Sequence, residues 1–227
     1  MLKVTNLTGG YGPVPFIKGV DLEVSKGEIV GIVGRNGMGK STLLSSIFGL
    51  CNRPEGSVTI DDHVIPQRRP YALARHGASL VPENRGIFPA LSIAENLELA
   101  KARRYRPAVD PRDVLPLLTE RSRQAAGTLS GGQQQQLAIA RAVLAGSRLI
   151  AVDEVTHGLQ PSIATAVMEM FTELSSSGVG FLLVDQAPQT MARWSDRIMV
   201  LEAGSFVYNE KATPDSAKAV SELLQIR

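Results

Sequence analysis

The sequence predicts an α/β fold in which a parallel sheet forms the core. Two features indicate it: nearly continuous apolar runs typical of strands covered on both faces, and helical segments that separate these runs. A third feature, a helical stretch without strands in the middle of the chain, predicts an insertion into that core. With 227 residues, 44% of them hydrophobic, the chain can bury one sizeable core, and we expect a single domain.

The first third of the chain carries strand patterns separated by turns. Two segments alternate apolar and polar residues, as half-buried antiparallel strands do. A third is almost entirely apolar and leads through a glycine-rich loop into a segment with helical spacing. The predicted elements are strands at 2–7, 20–24 and 28–33, a helix at 41–50 and a hairpin at 57–65.

The rest of the chain divides into the helical middle and a second set of strands. From about 92 to 144 the pattern is helical and is interrupted by prolines. We therefore place a helical subdomain at about 84–145, between the core segments 1–83 and 146–227. The later predicted elements are strands at 148–152, 180–184, 198–202 and 205–209, a helix after Pro161 and a last helix at 216–224.

Composition limits the classes of function. The formal net charge of +2 gives no support for nucleic-acid binding by charge alone. The single cysteine, Cys51, excludes an internal disulfide framework and fits a reducing compartment. The first residues lack a secretory signal, and no apolar run approaches the roughly 20 residues that cross a bilayer. We expect a cytoplasmic protein that serves any membrane process as a peripheral partner.

A glycine-rich loop between a buried strand and an amphipathic helix is the strongest motif. Residues 34–41 fit the spacing G-x-x-x-x-G-K-[ST]. Glycines let successive amides point at phosphate oxygens, and the helix N-terminus adds partial positive charge. Lys40 can reach the terminal phosphates, and the Ser41 hydroxyl can ligate Mg²⁺. The predicted nucleotide-binding residues are Gly34, Arg35, Asn36, Gly37, Met38, Gly39, Lys40, Ser41 and Thr42.

Two carboxylates, Asp153 and Glu154, follow directly after the predicted strand at 148–152. A carboxylate at the end of such a strand can hold Mg²⁺ through its water shell. Adjacent residues of an extended chain point in opposite directions, so the two carboxylates cannot do the same job. Asp153 is the candidate metal residue, and Glu154 is the candidate to orient and activate an attacking water. An acidic pair that only caps a strand is the alternative, which the nearby phosphate loop disfavours.

A second glycine-lined helix start lies at Ser130, Gly131, Gly132 and Gln133. Ser130 is a good N-cap, and the two glycines expose amides at the positive end of the helix. The phosphates of one nucleotide rarely require two such helix starts from one molecule. Taken alone, this segment is therefore better explained as an ordinary capped helix.

Three motifs in this order resemble those of ABC ATPases. GRNGMGKST is similar to their Walker A motif, TLSGGQQQ to their signature and LIAVDE to their Walker B motif, and the resemblance covers essentially the whole chain. It implies a P-loop NTPase core, an antiparallel β subdomain and a helical subdomain, with ATP and Mg²⁺ as cofactors. It also implies a head-to-tail dimer in which Ser130, Gly132 and Gln133 of one subunit close over the γ-phosphate held by the other.

The same resemblance assigns further roles. Tyr11 falls where these ATPases stack an aromatic ring on adenine, with a core tyrosine as the alternative. Glu83 stands where the family has a glutamine that touches Mg²⁺ and senses the membrane subunit. Gln186 occupies the switch-histidine position and can hydrogen-bond the γ-phosphate without carrying a proton's charge. The implied catalytic residues are Lys40, Glu154 and Gln186, and the implied metal residues are Ser41, Glu83 and Asp153.

Smaller motifs resemble one branch of this family. VPE at 81–83, GLQP at 158–161 and VDQ at 184–186 are similar to the importer ATPases for branched-chain amino acids, amides and urea, particularly their smaller ATPase subunit. The resemblance implies an ATPase that lies on the inner face of the plasma membrane and powers import of such a solute. Its implied partners are a second ATPase subunit, which is a related chain or a second copy, transmembrane permeases and, indirectly, a solute-binding protein.

Two residues depart from this branch, and two other classes of function stay open. Val155 and His157 stand where the branch commonly has proline and a small or apolar residue, and we interpret His157 as a packing or surface residue rather than a proton carrier. A non-transport ABC ATPase is disfavoured by the single cassette and the absence of heptad repeats. A nucleotide sensor without hydrolysis is disfavoured because Lys40, Ser41, Asp153 and Glu154 are present.

Overall fold

The structure, a computed structural model, describes residues 1–11, 13–66, 69–102 and 105–225, and every side chain among these except those of Arg53, Pro54, Pro70 and Gln225. The strands are β1 (Leu2–Gly10), β2 (Ile17–Val24), β3 (Ile29–Val33), β4 (Asn52–Ile60), β5 (His63–Val64), β6 (Ala78–Val81), β7 (Leu149–Asp153), β8 (Gly180–Asp185), β9 (Arg197–Glu202) and β10 (Ser205–Lys211). The helices are α1 (Lys40–Ile47), α2 (Pro70–Arg75), α3 (Ile93–Ala100), α4 (Pro111–Val114), α5 (Leu117–Glu120), α6 (Gly131–Leu144), α7 (Pro161–Ser176), α8 (Pro188–Trp194) and α9 (Ser216–Gln225).

The larger sheet has the order β10-β9-β3-β8-β7-β6 and is parallel except for β10, which pairs antiparallel with β9. Its central strands β3, β7 and β8 are buried along their whole length, as their apolar sequences require. Because the strands are parallel and Val33 pairs with Asp185, β3 and β8 end at the same edge of the sheet. The pairing of Asp153 with Val184 brings the end of β7 to that edge as well. The predicted parallel core is therefore confirmed.

Alternate residues of β8 face two different apolar clusters. Phe181 and Leu183 point to the side covered by α6 and α7, where the ring of Phe181 stacks on Phe171 with centroids 4.6 Å apart. Leu182 and Val184 point to the other side, where α1 lies between the two sheets. The core thus has helices on both faces of one sheet.

The smaller sheet is antiparallel, with the order β2-β1-β4-β5. The predicted hairpin turn at Asp61 and Asp62 joins β4 to β5, and both residues have the positive φ that such a turn needs. The inner face of this sheet packs on Leu43, Leu44 and Ile47 of α1. That packing sets the position of α1 and therefore of the loop that precedes it.

Between β6 and β7 the described residues form helices and turns, with one isolated bridge between Ser92 and Ala125. Ser92 begins α3 with a capping box, since its hydroxyl accepts from the Glu95 amide and Glu95 accepts from the Ser92 amide. Helices α3 and α6 pack against each other beside β6. Among the described residues, no helix has both the length and the apolar character to span a membrane.

The structure differs from the sequence prediction at several elements. Helix α1 ends at Ile47 rather than at Leu50, because Gly49 takes a left-handed φ of 69° and turns the chain away. Strand β6 was missed, and so were α2 and α8. β6 has only four residues and contains Ser79, whose hydroxyl bonds to Ser147, so it lacks the apolar run that marked its neighbours.

Candidate functional site

A cleft of about 290 Å³ lies at the carboxyl edge of the parallel sheet, where the loop after β3 enters α1. It gathers residues from the glycine-rich loop, from the end of β6 and from the end of β7. Its lining residues are Phe16, Asn36, Gly37, Gly39, Lys40, Ser41, Thr42, Glu83 and Glu154. The structure therefore brings Glu83 and Glu154 to the predicted phosphate loop.

Two glycines make the path of this loop possible. Gly39 has a φ of 98°, and a Cβ there would lie 2.6 Å from the Phe16 ring. At Gly34 a Cβ would lie 2.6 Å from the Leu201 carbonyl oxygen. Neither position accepts a side chain without displacement of its neighbour, so the path of the loop requires glycine at both.

Lys40 is the first residue of α1, and its side chain is buried beneath the loop. Its ammonium donates to the carbonyl oxygens of Gly34 at 2.7 Å and Arg35 at 3.0 Å. Burial lowers the pKa of Lys40, and the nearby carboxylates of Glu154 and Asp153 oppose that shift. An ammonium has three donors, so one remains for an anion in the cleft.

Asp153 ends β7 as a buried carboxylate, and its Oδ1 atom has no hydrogen-bond partner. Burial raises the pKa of Asp153, and a hydrogen bond with Ser41 acts in the opposite direction. A buried, unpartnered carboxylate oxygen beside a hydroxyl is a donor set that suits Mg²⁺. No cluster of three or more His, Cys, Asp or Glu side chains suited to a metal occurs among the described residues, so such an ion needs further oxygens from phosphate or water.

Glu154 follows with a left-handed φ of 53° that turns its side chain into the cleft. Its Oε1 accepts from the Gln186 side-chain amide at 2.8 Å, and its Oε2 lies 3.3 Å from Nδ1 of His157. The two adjacent carboxylates thus occupy different environments, one buried beside Ser41 and one at the cleft. The sequence prediction that the two side chains point apart assumed an extended chain, whereas the structure separates them through the left-handed backbone at Glu154.

Asp185, at the end of β8, is a buried residue that the sequence analysis did not single out. Its Oδ2 accepts from the amide and hydroxyl of Thr156 at 3.0 and 2.7 Å, and its Oδ1 accepts from the amides of Gln186 and Ala187. It therefore ties the loop after β7 to the loop after β8. Its position directly after a buried strand, as for Asp153, was the signal available in the sequence.

The glycine-lined start of α6 lies outside the cleft of its own chain. Ser130 caps the helix, and its amide donates to Gln133 Oε1 at 3.0 Å in a capping box. Gly132 lies against the loop after β7, where a Cβ would come within 2.0 Å of the Gly158 carbonyl oxygen. The structure therefore does not bring Ser130, Gly131, Gly132 and Gln133 to the phosphate loop that precedes α1.

Tyr11 also lies outside the lining of this cleft. Its side chain is 69% exposed, and its hydroxyl donates to Ser45 Oγ on α1 at 2.7 Å. The alternative of a core tyrosine is therefore wrong. Phe16, which the sequence analysis missed, is the aromatic residue that does line the cleft, with its ring against Gly39. Nothing in its sequence context distinguished it from an ordinary strand-flanking residue.

A glycine-rich loop at a helix start after β3, with a buried carboxylate at the end of β7, which is separated from β3 by β8, defines a nucleotide-phosphate site of the P-loop class. Comparison with known proteins places the chain more narrowly. The sequence model of the family described as ABC transporter matches residues 17–157, and the chain belongs to that family. ATP binding and hydrolysis follow from this membership and confirm the activity that the motifs predicted.

Two curated relatives match over nearly their full length. The high-affinity branched-chain amino acid transport ATP-binding protein BraG of Pseudomonas aeruginosa is 35% identical over 215 residues, which cover 92% of each chain. The probable branched-chain amino acid transport ATP-binding protein LivF of Archaeoglobus fulgidus is 33% identical, covering 93% of this chain and 92% of that protein.

Solved structures agree on the fold. The ATP-binding subunit of an ABC transporter superposes with a TM-score of 0.81 at 27% identity, over 99% of this chain and 95% of that chain. A dimeric ATP-binding cassette bound to ADP and Pi also gives a TM-score of 0.81, at 28% identity, over 94% and 99%. The predicted fold class is thereby confirmed.

Proposed function

We propose that the chain hydrolyses ATP to power import of a branched-chain amino acid through membrane permeases. The arrangement that carries this proposal is the pair Asp153 and Glu154 beside the phosphate loop, one carboxylate buried with a free oxygen and the other in the cleft. The named transport roles of BraG and LivF support the class of solute.

Different residues of the chain bind the phosphates, hold the metal ion and activate the water. The loop amides and the third donor of Lys40 bind the β- and γ-phosphates, while Ser41, Asp153 and Glu83 would hold Mg²⁺. When bound, that ion supplies charge neutralisation at the phosphate oxygens. Glu154 takes a proton from the attacking water as the water oxygen bonds to the γ-phosphorus and the bond to ADP breaks. Gln186 bonds Glu154 and in the assembled site contacts the γ-phosphate.

A second subunit completes the site in this proposal. The segment Ser130–Gly131–Gly132–Gln133 lies outside its own cleft, yet it places the amides of Gly131 and Gly132 at the positive end of a 14-residue helix. We place this segment over the γ-phosphate of the nucleotide that a partner holds. We place Tyr11 against the adenine of the nucleotide that its own chain holds. The solved dimeric cassette with ADP and Pi supports a dimer, and the separation of the two segments within one chain favours a head-to-tail arrangement. The partner is a related ATPase chain or a second copy.

A groove of about 450 Å³ supports docking of a permease helix. Small and apolar residues of α6, β6 and the turn after α1 line it, and Pro82 and Arg85 connect it to Glu83. On its wall, Arg141 stacks over Phe88 at 4.8 Å and keeps a buried Nε atom without a partner. An apolar helix that carries an acceptor fits this lining. We assign segment 84–145 as the helical subdomain that moves with the permease against core segments 1–83 and 146–227.

These partners define where the protein works. We place it in the cytoplasm, peripheral on the inner face of the plasma membrane and attached through the permeases. A solute-binding protein would deliver the solute on the other side and never touch this chain.

The test is the variant Glu154→Gln, reconstituted with the permeases, solute-binding protein and Mg²⁺–ATP. We expect nucleotide affinity within about threefold of wild type but turnover at least 10²-fold lower, because general-base catalysis contributes about that much or more. Glu173→Gln, an exposed carboxylate on α7, is the matched control and should hydrolyse ATP normally. ATP-driven uptake of leucine, and not of urea or acetamide, is expected for the wild type. Wild-type turnover in Glu154→Gln would contradict the assigned role, and uptake of urea without leucine would contradict the solute.

A further inference from the structure

Both carboxylate oxygens of Glu154 are engaged by side chains from two different loops. Gln186, after β8, donates its amide to Oε1 at 2.8 Å. His157, in the loop after β7, places Nδ1 at 3.3 Å from Oε2. A carboxylate held on both oxygens has its orientation restricted, whereas one contact leaves it free to rotate.

The backbone around His157 is fixed by hydrogen bonds independent of its side chain. The His157 amide donates to the Glu154 carbonyl oxygen at 3.1 Å, and the Leu159 amide donates to the Thr156 carbonyl oxygen at 3.2 Å. Asp185 anchors Thr156 from β8 through two more bonds. Replacing the imidazole should therefore leave the loop in place and remove only the contact with Glu154.

The side chains of His157 and Glu154 differ in how much of their surface is exposed. The side chain of His157 is 67% exposed, whereas that of Glu154 is 19% exposed. An imidazole that is mostly in water adds little to the core, so its contact with the carboxylate is its main interaction with the chain. The carboxylate of Glu154 therefore meets an imidazole from the loop after β7 and the side-chain amide of Gln186 from the loop after β8.

We propose that His157 is a positioning residue for Glu154: its Nδ1–H holds Oε2 while Gln186 holds Oε1, so that the carboxylate faces the cleft. This inference rests on the role of Glu154 in the proposed function. A general base works only within hydrogen-bond reach of the water proton, so loss of one of the two contacts lowers the fraction of productive geometry. Binding of ATP, which depends on the loop around Lys40, is left unchanged.

The experiment compares His157→Ala with His157→Gln, whose side-chain amide keeps a donor. We expect His157→Ala to lower kcat for ATP about fivefold to tenfold with KM within twofold of wild type, and His157→Gln to recover at least half of the loss. His63→Ala is the matched control, since His63 is exposed on β5 and does not line the cleft. Equal kcat for His157→Ala and wild type would overturn the proposal, as would a loss that His157→Gln does not relieve or a His157→Ala chain that fails to fold.

A double variant separates this inference from the proposed function. In the Glu154→Gln background, His157→Ala should reduce the residual turnover by less than twofold, because a positioning residue has nothing left to position. An additive fivefold loss in that background would assign His157 another role. An active Glu154→Gln would remove the proposed function itself, whereas an inactive Glu154→Gln beside a fully active His157→Ala would remove only this inference.

Discussion

At the residue scale, the proposed hydrolysis of ATP depends on Asp153 and Glu154, which are adjacent in the sequence but lie in different environments. Asp153 is buried with an unpartnered Oδ1, whereas Glu154 has a left-handed φ and its side chain faces the cleft. Lys40 is buried as well, but two carbonyl oxygens accept from its ammonium. Burial without a partner costs stability, and a divalent cation removes that cost at Asp153. The buried charge is therefore unfavourable in the isolated chain, and in the proposed function the Mg²⁺ of a bound nucleotide would neutralise it.

This placement predicts how Asp153→Asn behaves. Burial raises the pKa of Asp153, so the folded chain holds the proton more tightly than the unfolded chain, and this residue favours folding as the pH falls through its folded pKa. At neutral pH the ionised carboxylate is a cost, which the neutral asparagine removes. Without Mg²⁺ the variant should therefore melt at or above the wild-type Tm.

With Mg²⁺–ATP the order should reverse. The wild type gains stability from the nucleotide by linkage, and the variant should lose most of the part of that gain that depends on Mg²⁺. Thermal melts with ATP, with and without Mg²⁺, measure this, and Asp62→Asn in the exposed turn after β4 is the control. A lower Tm in the metal-free variant combined with an undiminished Mg²⁺ response would contradict the assignment of Asp153.

Candidate site residues were predictable from the sequence where a motif has local spacing. The phosphate loop, Asp153, Glu154 and Ser130 were found because each lies at a strand end or helix start that the sequence marks. Asp185, Phe16 and the contact of His157 with Glu154 were not found. They depend on loops that meet only after the strands pair, so no spacing along the chain records them.

At the scale of elements, the starts of two helices carry the same cap, but the proposed function gives a role in nucleotide binding to only one of them. Ser92 on α3 and Ser130 on α6 both form capping boxes, with Glu95 and Gln133 respectively. A Ser-to-Ala change at an N-cap costs about 1 kcal/mol in either place. Both variants should therefore lower Tm by roughly 2–4 °C for a domain of this size.

Turnover should separate the two variants. Ser130→Ala should lower ATP turnover at least tenfold because, in the proposed dimer, its hydroxyl and helix start meet the partner's γ-phosphate, while Ser92→Ala should hydrolyse ATP at the wild-type rate. Steady-state hydrolysis at saturating ATP, below both melting transitions, makes the comparison. Equal turnover in the two variants would mean that the start of α6 is only a capped helix, the alternative weighed from the sequence.

Element boundaries show where sequence patterns fail. Strands β3, β7 and β8 were predicted because burial on both faces demands continuous apolar runs. Strand β6 was missed because it lies at the edge of the sheet, has four residues and carries a serine bonded to the loop before β7. Edge strands tolerate such residues, so their sequences resemble loops.

At the scale of the whole molecule, the phosphate cleft and the start of α6, which the proposed function assigns to one composite site, do not meet within a chain. The phosphate cleft opens at the carboxyl edge of the parallel sheet, and the start of α6 packs against the Gly158 loop instead. Since Gln135 of α6 donates to the Glu154 carbonyl oxygen at 3.4 Å, α6 and the cleft are nevertheless linked within each chain. A dimer built from such chains would connect its two nucleotide sites through α6.

The most direct test is a crystal structure of Glu154→Gln grown with Mg²⁺ and ATP. We expect the triphosphate in the loop of residues 34–41, the ion beside Ser41 and Asp153, and residues 130–133 of a second subunit on the γ-phosphate. A triphosphate bound away from that loop would contradict the account.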